Sequence, residues 1–311
     1  MSTRVRLGKT NLQVSPICFG TWQLSPKFWG KADEEAISIA VRKAYEADVN
    51  FFDTAGAYGD GLAETVLGKA IKGLPREKLV IATKVHWHIR PDASRYADLS
   101  AEYIAEECEA CLKRMGLDYM DLFQCHSWDP LGDFGEIAGT MDKLVKQGKI
   151  RAYGTSNWNA EQMRGGNQFG RFYSCQPKYS LLATDIEQDV LPYCLANDIG
   201  VLTYSTLHLG LLTGKFVGDE TFSDLRKNNR DFSGERFKVL CDRIRQAGDL
   251  AKKYDLTITQ LMLAATLMHP AVTCAIVGVK TGEQIVESAG AMGKKISRDD
   301  YGRLRALLSV S

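Results

Sequence analysis

The sequence has no excess of charge of one sign and no long apolar run. Its 311 residues include 39 basic and 38 acidic side chains, for a net charge of +1. So balanced a chain has no long-range field to attract nucleic acid or an anionic membrane surface. No apolar run approaches the ~20 residues of a membrane span, and residues 1–25 lack a signal-peptide pattern. We therefore expect a cytoplasmic protein without nucleic-acid or membrane partners.

The cysteines do not form the pattern of a disulfide framework or of a metal site. Eight of them are scattered through a chain too long to need crosslinks, which is typical of a reducing compartment. Cys108 and Cys111 form a CxxC motif, but it lies in the helical pattern EECEACLKRMG, without a second pair or a histidine cluster. We interpret both as small apolar helix residues and expect no metal.

Two common phosphate-binding patterns are also missing. No GxGxxG follows a predicted strand, which argues against a Rossmann fold. The stretch GLLTGKF (210–216) has only three residues between its glycines and carries Phe216 after the lysine. It therefore does not have the spacing of a P-loop.

What the sequence does contain is a repeated alternation of short apolar runs and helix-period stretches. Runs of this length and composition are typical of buried strands, and they occupy residues 15–20, 49–53, 78–84, 119–126, 149–156, 172–178, 200–205 and 273–278. Helical patterns occupy residues 33–47, 100–115, 134–148 and 186–198. Eight such units predict an α/β fold, a (β/α)8 TIM barrel that forms one domain over residues 1–311.

Three additions to the barrel are expected. RVRLGKTNLQV before the first strand predicts a β-hairpin that plugs the bottom of the barrel. Residues 206–235 have no clear periodicity and predict a long loop over the cofactor, because long loops after barrel strands are usually functional. We also expect extra helices at the C-terminus.

Four ionisable residues follow strand ends, where the active sites of barrel enzymes lie. In FFDTAGAYGDG, Asp53 ends the second strand and glycines flank Tyr58; Lys84 ends the third strand and His126 the fourth. A nearby ammonium lowers the pKa of a phenol, and a carboxylate keeps a buried lysine charged. We predict that Tyr58 is a general acid, assisted by Lys84, Asp53 and His126, for a carbonyl reduction that requires a hydride cofactor.

Alternatives to this interpretation remain at the same residues. Asp53 and Lys84 could form only a stabilising ion pair of the barrel. Lys84 could also be the Schiff-base nucleophile of an aldolase.

The five tryptophans all follow strand ends closely. Trp22 and Trp29 come after the first strand, Trp87 after the third, Trp128 after the fourth and Trp158 after the fifth. Such a rim predicts an aromatic mouth around a pocket for small carbonyl substrates. We expect Trp22, Trp29, Trp87 and Trp128 to line it.

DTAxxYG, the ATK of the third strand, the histidine of the fourth and the TSN after the fifth together resemble the aldo-keto reductase superfamily. The resemblance extends from LGKTNLQVSPICFGT to GVKTGEQIVESA, and YSTLHLGLLTGKF is most similar to its bacterial and plant general-stress and sugar- or inositol-type branch. It implies NADPH bound without a Rossmann fold and a catalytic tetrad of Asp53, Tyr58, Lys84 and His126.

The resemblance also implies a set of cofactor-binding residues. Ser156, Asn157 and Gln176 would hold the nicotinamide amide, Tyr204 would stack on its ring, and Lys280 would bind the 2′-phosphate. The whole implied set is Gly20, Thr21, Asp53, Ser156, Asn157, Gln176, Tyr204, Ser205, Leu207, Gly210, Leu211, Gly278, Lys280, Gln284, Glu287 and Ser288. Three positions depart from the family pattern: Ser288 replaces an asparagine, Thr281 a basic residue of some relatives and His208 a glutamine.

The resemblance leaves a second function open. Channel β-subunits are similar to this family, keep the tetrad and the nucleotide site, and act mainly as docking partners. The chain has no long N-terminal inactivating segment such as theirs, so carbonyl reduction is the preferred prediction and a nucleotide-sensing interaction protein the alternative.

Overall fold

Eight parallel strands close into a barrel in the computed structural model, which describes residues 4–31, 33–85, 87–89 and 95–309. The strands are β1 Val5–Arg6, β2 Gln13–Val14, β3 Ile17–Gly20, β4 Phe51–Asp53, β5 Val80–Val85, β6 Trp87–Ile89, β7 Arg95–Ala97, β8 Met120–Cys125, β9 Ile150–Ser156, β10 Phe172–Gln176, β11 Gly200–Thr203 and β12 Val272–Gly278. Strands β3, β4, β5 and β8 to β12 pair in chain order, and β12 pairs with β3. The predicted (β/α)8 TIM barrel is confirmed.

The barrel strands are apolar because helices cover their outer face and side chains fill the interior. Every residue of β5 and β8 is buried. Inside the barrel, Phe51, Leu122 and Leu202 belong to one packed apolar cluster. These strands hold the residues at their C-terminal ends in fixed positions.

Helices follow the strands much as the periodicity predicts. They are α1 Pro26–Trp29, α2 Glu34–Glu46, α3 Leu62–Ile71, α4 Ala101–Met115, α5 Phe134–Lys146, α6 Ala160–Gly166, α7 Val190–Asn197, α8 Gly234–Lys253, α9 Ile258–Leu267, α10 Gly282–Ala289 and α11 Arg298–Leu308. Asp33 caps α2, since its carboxylate accepts a hydrogen bond from the Ala36 amide at 2.9 Å. The helix expected over residues 186–198 is shorter, because residues 185–187 form a separate 3₁₀ turn.

The N-terminal hairpin is also confirmed. Strands β1 and β2 pair antiparallel, and Leu7 and Leu12 pack with the side chains of the barrel interior. Gly8 has a φ of +48°, and a Cβ there would lie 2.5 Å from the carbonyl oxygen of Tyr173. Glycine at this position therefore allows the hairpin to pack closely against the N-terminal ends of β10 and β11.

Helix α8, before the last strand, and helix α11, after the last barrel helix, are extra to the barrel. They enclose a second apolar cluster with the loop that follows β11; its members include Leu212, Phe232, Leu240 and Leu304. All eight cysteines are unpaired and buried. Among the described residues, no helix has the length and apolarity to cross a membrane, and no cluster of metal-ligating side chains is present.

Candidate active site

The four predicted catalytic residues meet at the C-terminal end of the barrel. Asp53 is the last residue of β4, Lys84 lies in β5 and His126 follows β8. The ammonium of Lys84 donates to Asp53 Oδ1 at 2.7 Å, to the carbonyl oxygen of Thr54 at 2.8 Å and to the phenol oxygen of Tyr58 at 3.4 Å. The ring of His126 packs edge-on against Tyr58, with centroids 5.8 Å apart.

Burial and charge act in opposite directions on this cluster. Burial lowers the pKa of Lys84, but the carboxylate of Asp53 and the phenol of Tyr58 together raise it by more. The pKa of Lys84 therefore lies above its ordinary value. Burial raises the pKa of Tyr58, and the opposing effect of the Lys84 ammonium is smaller. Lys84 thus lowers the phenol pKa as expected, but burial outweighs this contribution and the pKa of Tyr58 lies above its ordinary value. Lys84 is charged and Tyr58 carries its proton at neutral pH.

A chain of hydrogen bonds continues from the tetrad around the barrel rim. Gln176 donates to Asp53 Oδ2 at 2.8 Å, and Ser156 donates to the carbonyl oxygen of Gln176 at 2.8 Å. The amide of Asn157 donates to Ser156 Oγ at 3.1 Å and accepts from the hydroxyl of Tyr204 at 2.8 Å. Asn157 adopts a left-handed φ of 58°, which turns the chain at the end of β9. These polar groups form one connected arc beside Tyr58.

A cavity of about 690 Å³ lies in front of the tetrad and this arc. Its volume falls in the range of cofactor and ligand sites, roughly 300–1,000 Å³. The predicted residues that line it are Gly20, Trp22, Trp29, Asp53, Tyr58, Trp87, His126, Ser156, Asn157, Gln176, Tyr204, Ser205, Leu207, Gly210, Gly278, Lys280, Gln284, Glu287 and Ser288. Part of the loop after β11 also lines the cavity, through residues that include Leu207, Lys215 and Arg226.

Four predicted residues do not line the cavity. Lys84 lies behind Tyr58, and Thr21 donates its hydroxyl to the carbonyl oxygen of Asp53 at 3.2 Å. Leu211 is buried in the second apolar cluster. Trp128 packs against Phe134 and Trp158, with ring centroids 4.8 and 5.0 Å away, and so belongs to the packing of the barrel wall.

Three cations lie together at the wall of the cavity. Lys215 and Arg226 come from the loop after β11, and Lys280 follows β12. The pKa of Lys215 is lowered, first by burial and then by the charges of Arg226 and Lys280. Lys280 and Arg226 both approach the ring of Trp29, at 5.2 and 5.9 Å from its centroid. Such a group fits an anionic ligand.

The sequence interpretation missed several lining residues, among them Lys215, Arg226 and Gln23. The side-chain oxygen of Gln23 is buried and has no hydrogen-bond partner among the described residues, so a ligand donor would satisfy it. Lys215 lies in GLLTGKF, where the basic residue behind the glycines was the available signal. No sequence pattern marks Arg226, because only the conformation of the loop after β11 brings it to the cavity.

The family comparison decides how this arrangement is classified. The model of the aldo/keto reductase family matches residues 16–309. The chain belongs to this family.

Curated relatives cover almost the whole chain. Aldo-keto reductase YhdN of Bacillus subtilis is 34% identical over 308 residues, which are 97% of this chain and 92% of the relative. The NADH-specific methylglyoxal reductase of Escherichia coli is 32% identical over 319 residues and 98% of each chain. A putative voltage-gated potassium channel subunit beta of Schizosaccharomyces pombe is 33% identical over 92% of this chain and 87% of the relative. The family thus includes proteins named as reductases and proteins named as channel subunits.

Solved structures agree with the fold. A glycerol dehydrogenase from Gluconobacter oxydans superposes with a TM-score of 0.91 at 29% identity, covering 99% of this chain and 95% of the other. This agreement confirms the barrel fold over nearly the whole chain.

Proposed function

We propose that the protein reduces aldehydes or ketones to alcohols with NADPH, and that Tyr58 is the general acid. The observation that carries this proposal is the contact of Tyr58 with the charged pair Lys84–Asp53 at the edge of the 690 Å³ cavity. Membership of the aldo/keto reductase family supports the reaction class. A nicotinamide cofactor, when bound, supplies the hydride that no amino-acid side chain supplies.

The protein's own groups would handle the proton. Lys84 donates a hydrogen bond to the phenol oxygen, so the hydroxyl proton of Tyr58 remains available to an acceptor in the cavity. As negative charge develops on the carbonyl oxygen, Tyr58 would transfer this proton to it. His126 also lines the cavity and would hydrogen-bond the same oxygen, which orients the substrate.

The polar arc and the cations fit a dinucleotide. Ser156, Asn157 and Gln176 provide amide and hydroxyl groups for a carboxamide, and Tyr204 provides a ring beside them. The cations Lys215, Arg226 and Lys280 provide positive charge for phosphates. We propose NADPH over NADH because Lys280 adds a cation beyond the two of the loop; the NADH-specific relative makes this preference the first point to test.

A second candidate function has one observation in its favour, the 33% identity to the fungal protein named as a channel β-subunit. In that case the cavity would bind the nucleotide while turnover is negligible. Binding without turnover separates the two functions.

The deciding experiment compares the wild type with Tyr58→Phe, using NADPH or NADH and an activated aromatic aldehyde. We expect turnover in the wild type and a loss of about 10²–10⁴-fold in Tyr58→Phe, as for removal of a general acid, with cofactor affinity nearly unchanged. A variant that keeps most of its rate would remove Tyr58 from the mechanism. A wild type that binds NADPH tightly but reduces no aldehyde would favour the interaction protein.

The aldolase alternative has its own control. If Lys84 formed a Schiff base, borohydride with a carbonyl substrate would label it irreversibly. We expect no labelling, because Lys84 is charged and tied to Asp53.

A further inference from the structure

His208 lies in the loop that covers the cavity, but its side chain points elsewhere. Its neighbours Leu207, Leu209 and Gly210 line the cavity, whereas His208 is only 4% exposed. Its Nε2 lies 2.9 Å from Oδ2 of Asp231, farther along the same loop. The histidine therefore joins the cavity-lining part of the loop to a distant segment.

The backbone at this point is in a conformation that needs support. His208, Leu209 and Gly210 have φ values of 46°, 55° and 90°. Residues other than glycine rarely adopt this left-handed region, so contacts elsewhere must compensate for the backbone strain. Within residues 207–210, all of which the structure describes, His208 has the only buried side chain. It is therefore the anchor of the loop at this point.

Further contacts hold Asp231 and His208 in place. Asp231 also accepts from Arg236 Nε at 2.6 Å, and Arg230 lies 3.9 Å from it. The ring of Phe232 is parallel to that of His208 at 6.2 Å, inside the second apolar cluster. The hydrogen bond from His208 is the main cause that lowers the pKa of Asp231, so the carboxylate is charged at neutral pH. Arg236 lies in the first turn of α8, and the chain of contacts thus ties the loop to this helix.

We propose that the His208–Asp231 pair is a positioning device for the cofactor: it holds residues 207–210 in the conformation that contacts a dinucleotide and so sets its affinity. The inference rests on the proposed function, because it takes the nicotinamide dinucleotide as the ligand of the cavity. His208 and Asp231 touch neither cofactor nor substrate and act through the loop.

The test measures cofactor affinity and turnover in His208→Leu and His208→Gln. We expect His208→Leu to weaken NADPH binding about tenfold, within the usual range of coupling between sites, as measured by quenching of tryptophan fluorescence. kcat at saturating cofactor should not fall, since the groups around the reacting oxygen are unchanged. His208→Gln keeps a donor for Asp231 and should restore most of the affinity. Unchanged affinity in a folded His208→Leu would overturn the proposal.

A matched control separates positioning from stability. The ion pair Lys253–Asp300 joins α8 to α11 at 2.6 Å, and its carboxylate is more deeply buried than that of Asp231 but lies outside the cavity lining. We expect Asp300→Asn to lower the melting temperature without lowering the affinity for the cofactor. If Asp300→Asn lowers the cofactor affinity as much as His208→Leu does, the loss reflects general destabilisation and the proposal fails.

Two further measurements keep the test decisive. If His208→Leu does not fold, Asp231→Asn removes the carboxylate that His208 contacts, and unchanged affinity there overturns the proposal. If the wild type binds neither NADPH nor NADH, the proposed function is wrong, yet hydrogen exchange of the amides of residues 207–212 still tests the anchor. Exchange should be faster in His208→Leu than in the wild type or Asp300→Asn, and equal exchange would refute the anchoring role.

Discussion

The ammonium nitrogen of Lys84 lies 3.4 Å from the phenol oxygen of Tyr58 and 5.1 Å from the centroid of its ring. The lysine is also bonded to Asp53 and to the backbone of Thr54, so its position is fixed by three acceptors. It therefore approaches the phenol from the protein side and leaves the cavity side of Tyr58 open to a ligand. This geometry separates the group that holds the phenol from the group that would accept its proton.

Replacing the lysine tests this role directly. Lys84→Met removes the only ammonium in contact with Tyr58 among the described residues, and we expect kcat for aldehyde reduction to fall about 10²–10⁴-fold. The single variant also leaves the buried Asp53 carboxylate without its cation, which costs about 3–5 kcal/mol of stability. Asp53→Asn/Lys84→Met removes that charge, so we expect it to regain stability but not activity. A double variant with near-normal turnover would contradict the role of Lys84.

The pH dependence of reduction follows from the raised pKa of Tyr58. Reduction needs the neutral phenol, and burial keeps its pKa above the ordinary value of about 10. We therefore expect kcat/KM for the aldehyde, at saturating cofactor, to show no loss from phenol ionisation between about pH 7 and about pH 9. A decline near neutral pH that disappears in His126→Asn would assign that titration to the histidine instead.

The 2′-phosphate contact is tested by Lys280→Met. If Lys280 binds this phosphate, the variant should lower the affinity for NADPH by about tenfold or more, because only NADPH carries the extra charge. The affinity for NADH should stay within about twofold of the wild-type value. Lys146→Met, an exposed lysine of α5 outside the cavity lining, is the matched control. Equal losses for both cofactors would place the phosphate elsewhere, with Arg226 and Lys215 as the next positions to replace.

Much of the fold and of the tetrad could be predicted because the signals are local. Apolar runs mark the strands, and Asp53 and Lys84 stand at strand ends whose direction the barrel fixes. Arg226 could not be predicted, since it reaches Trp29 through a loop without periodicity. Leu211 faces the second apolar cluster because the backbone of Gly210 turns it there, with a φ of 90° that no sequence pattern specifies.

The tryptophans give the last test, because two of them follow strand ends but lie in different surroundings. Trp87 lines the cavity and is 37% exposed, whereas Trp128 packs against Phe134 and Trp158 outside it. We expect Trp87→Ala to change the kcat/KM ratio for an aromatic against an aliphatic aldehyde by several-fold, about the effect of losing apolar contact in a pocket, while the free energy of unfolding changes by less than about 1 kcal/mol.

Trp128→Ala should do the reverse. We expect it to lower the free energy of unfolding by about 2–3 kcal/mol, because it leaves a cavity among packed aromatic rings, and to leave the aldehyde preference within about twofold. Denaturant unfolding and steady-state kinetics on both variants measure the two effects. If Trp128→Ala changed the preference and Trp87→Ala the stability, the two side chains would have exchanged roles, and the substrate would enter on the β8 side of the barrel mouth.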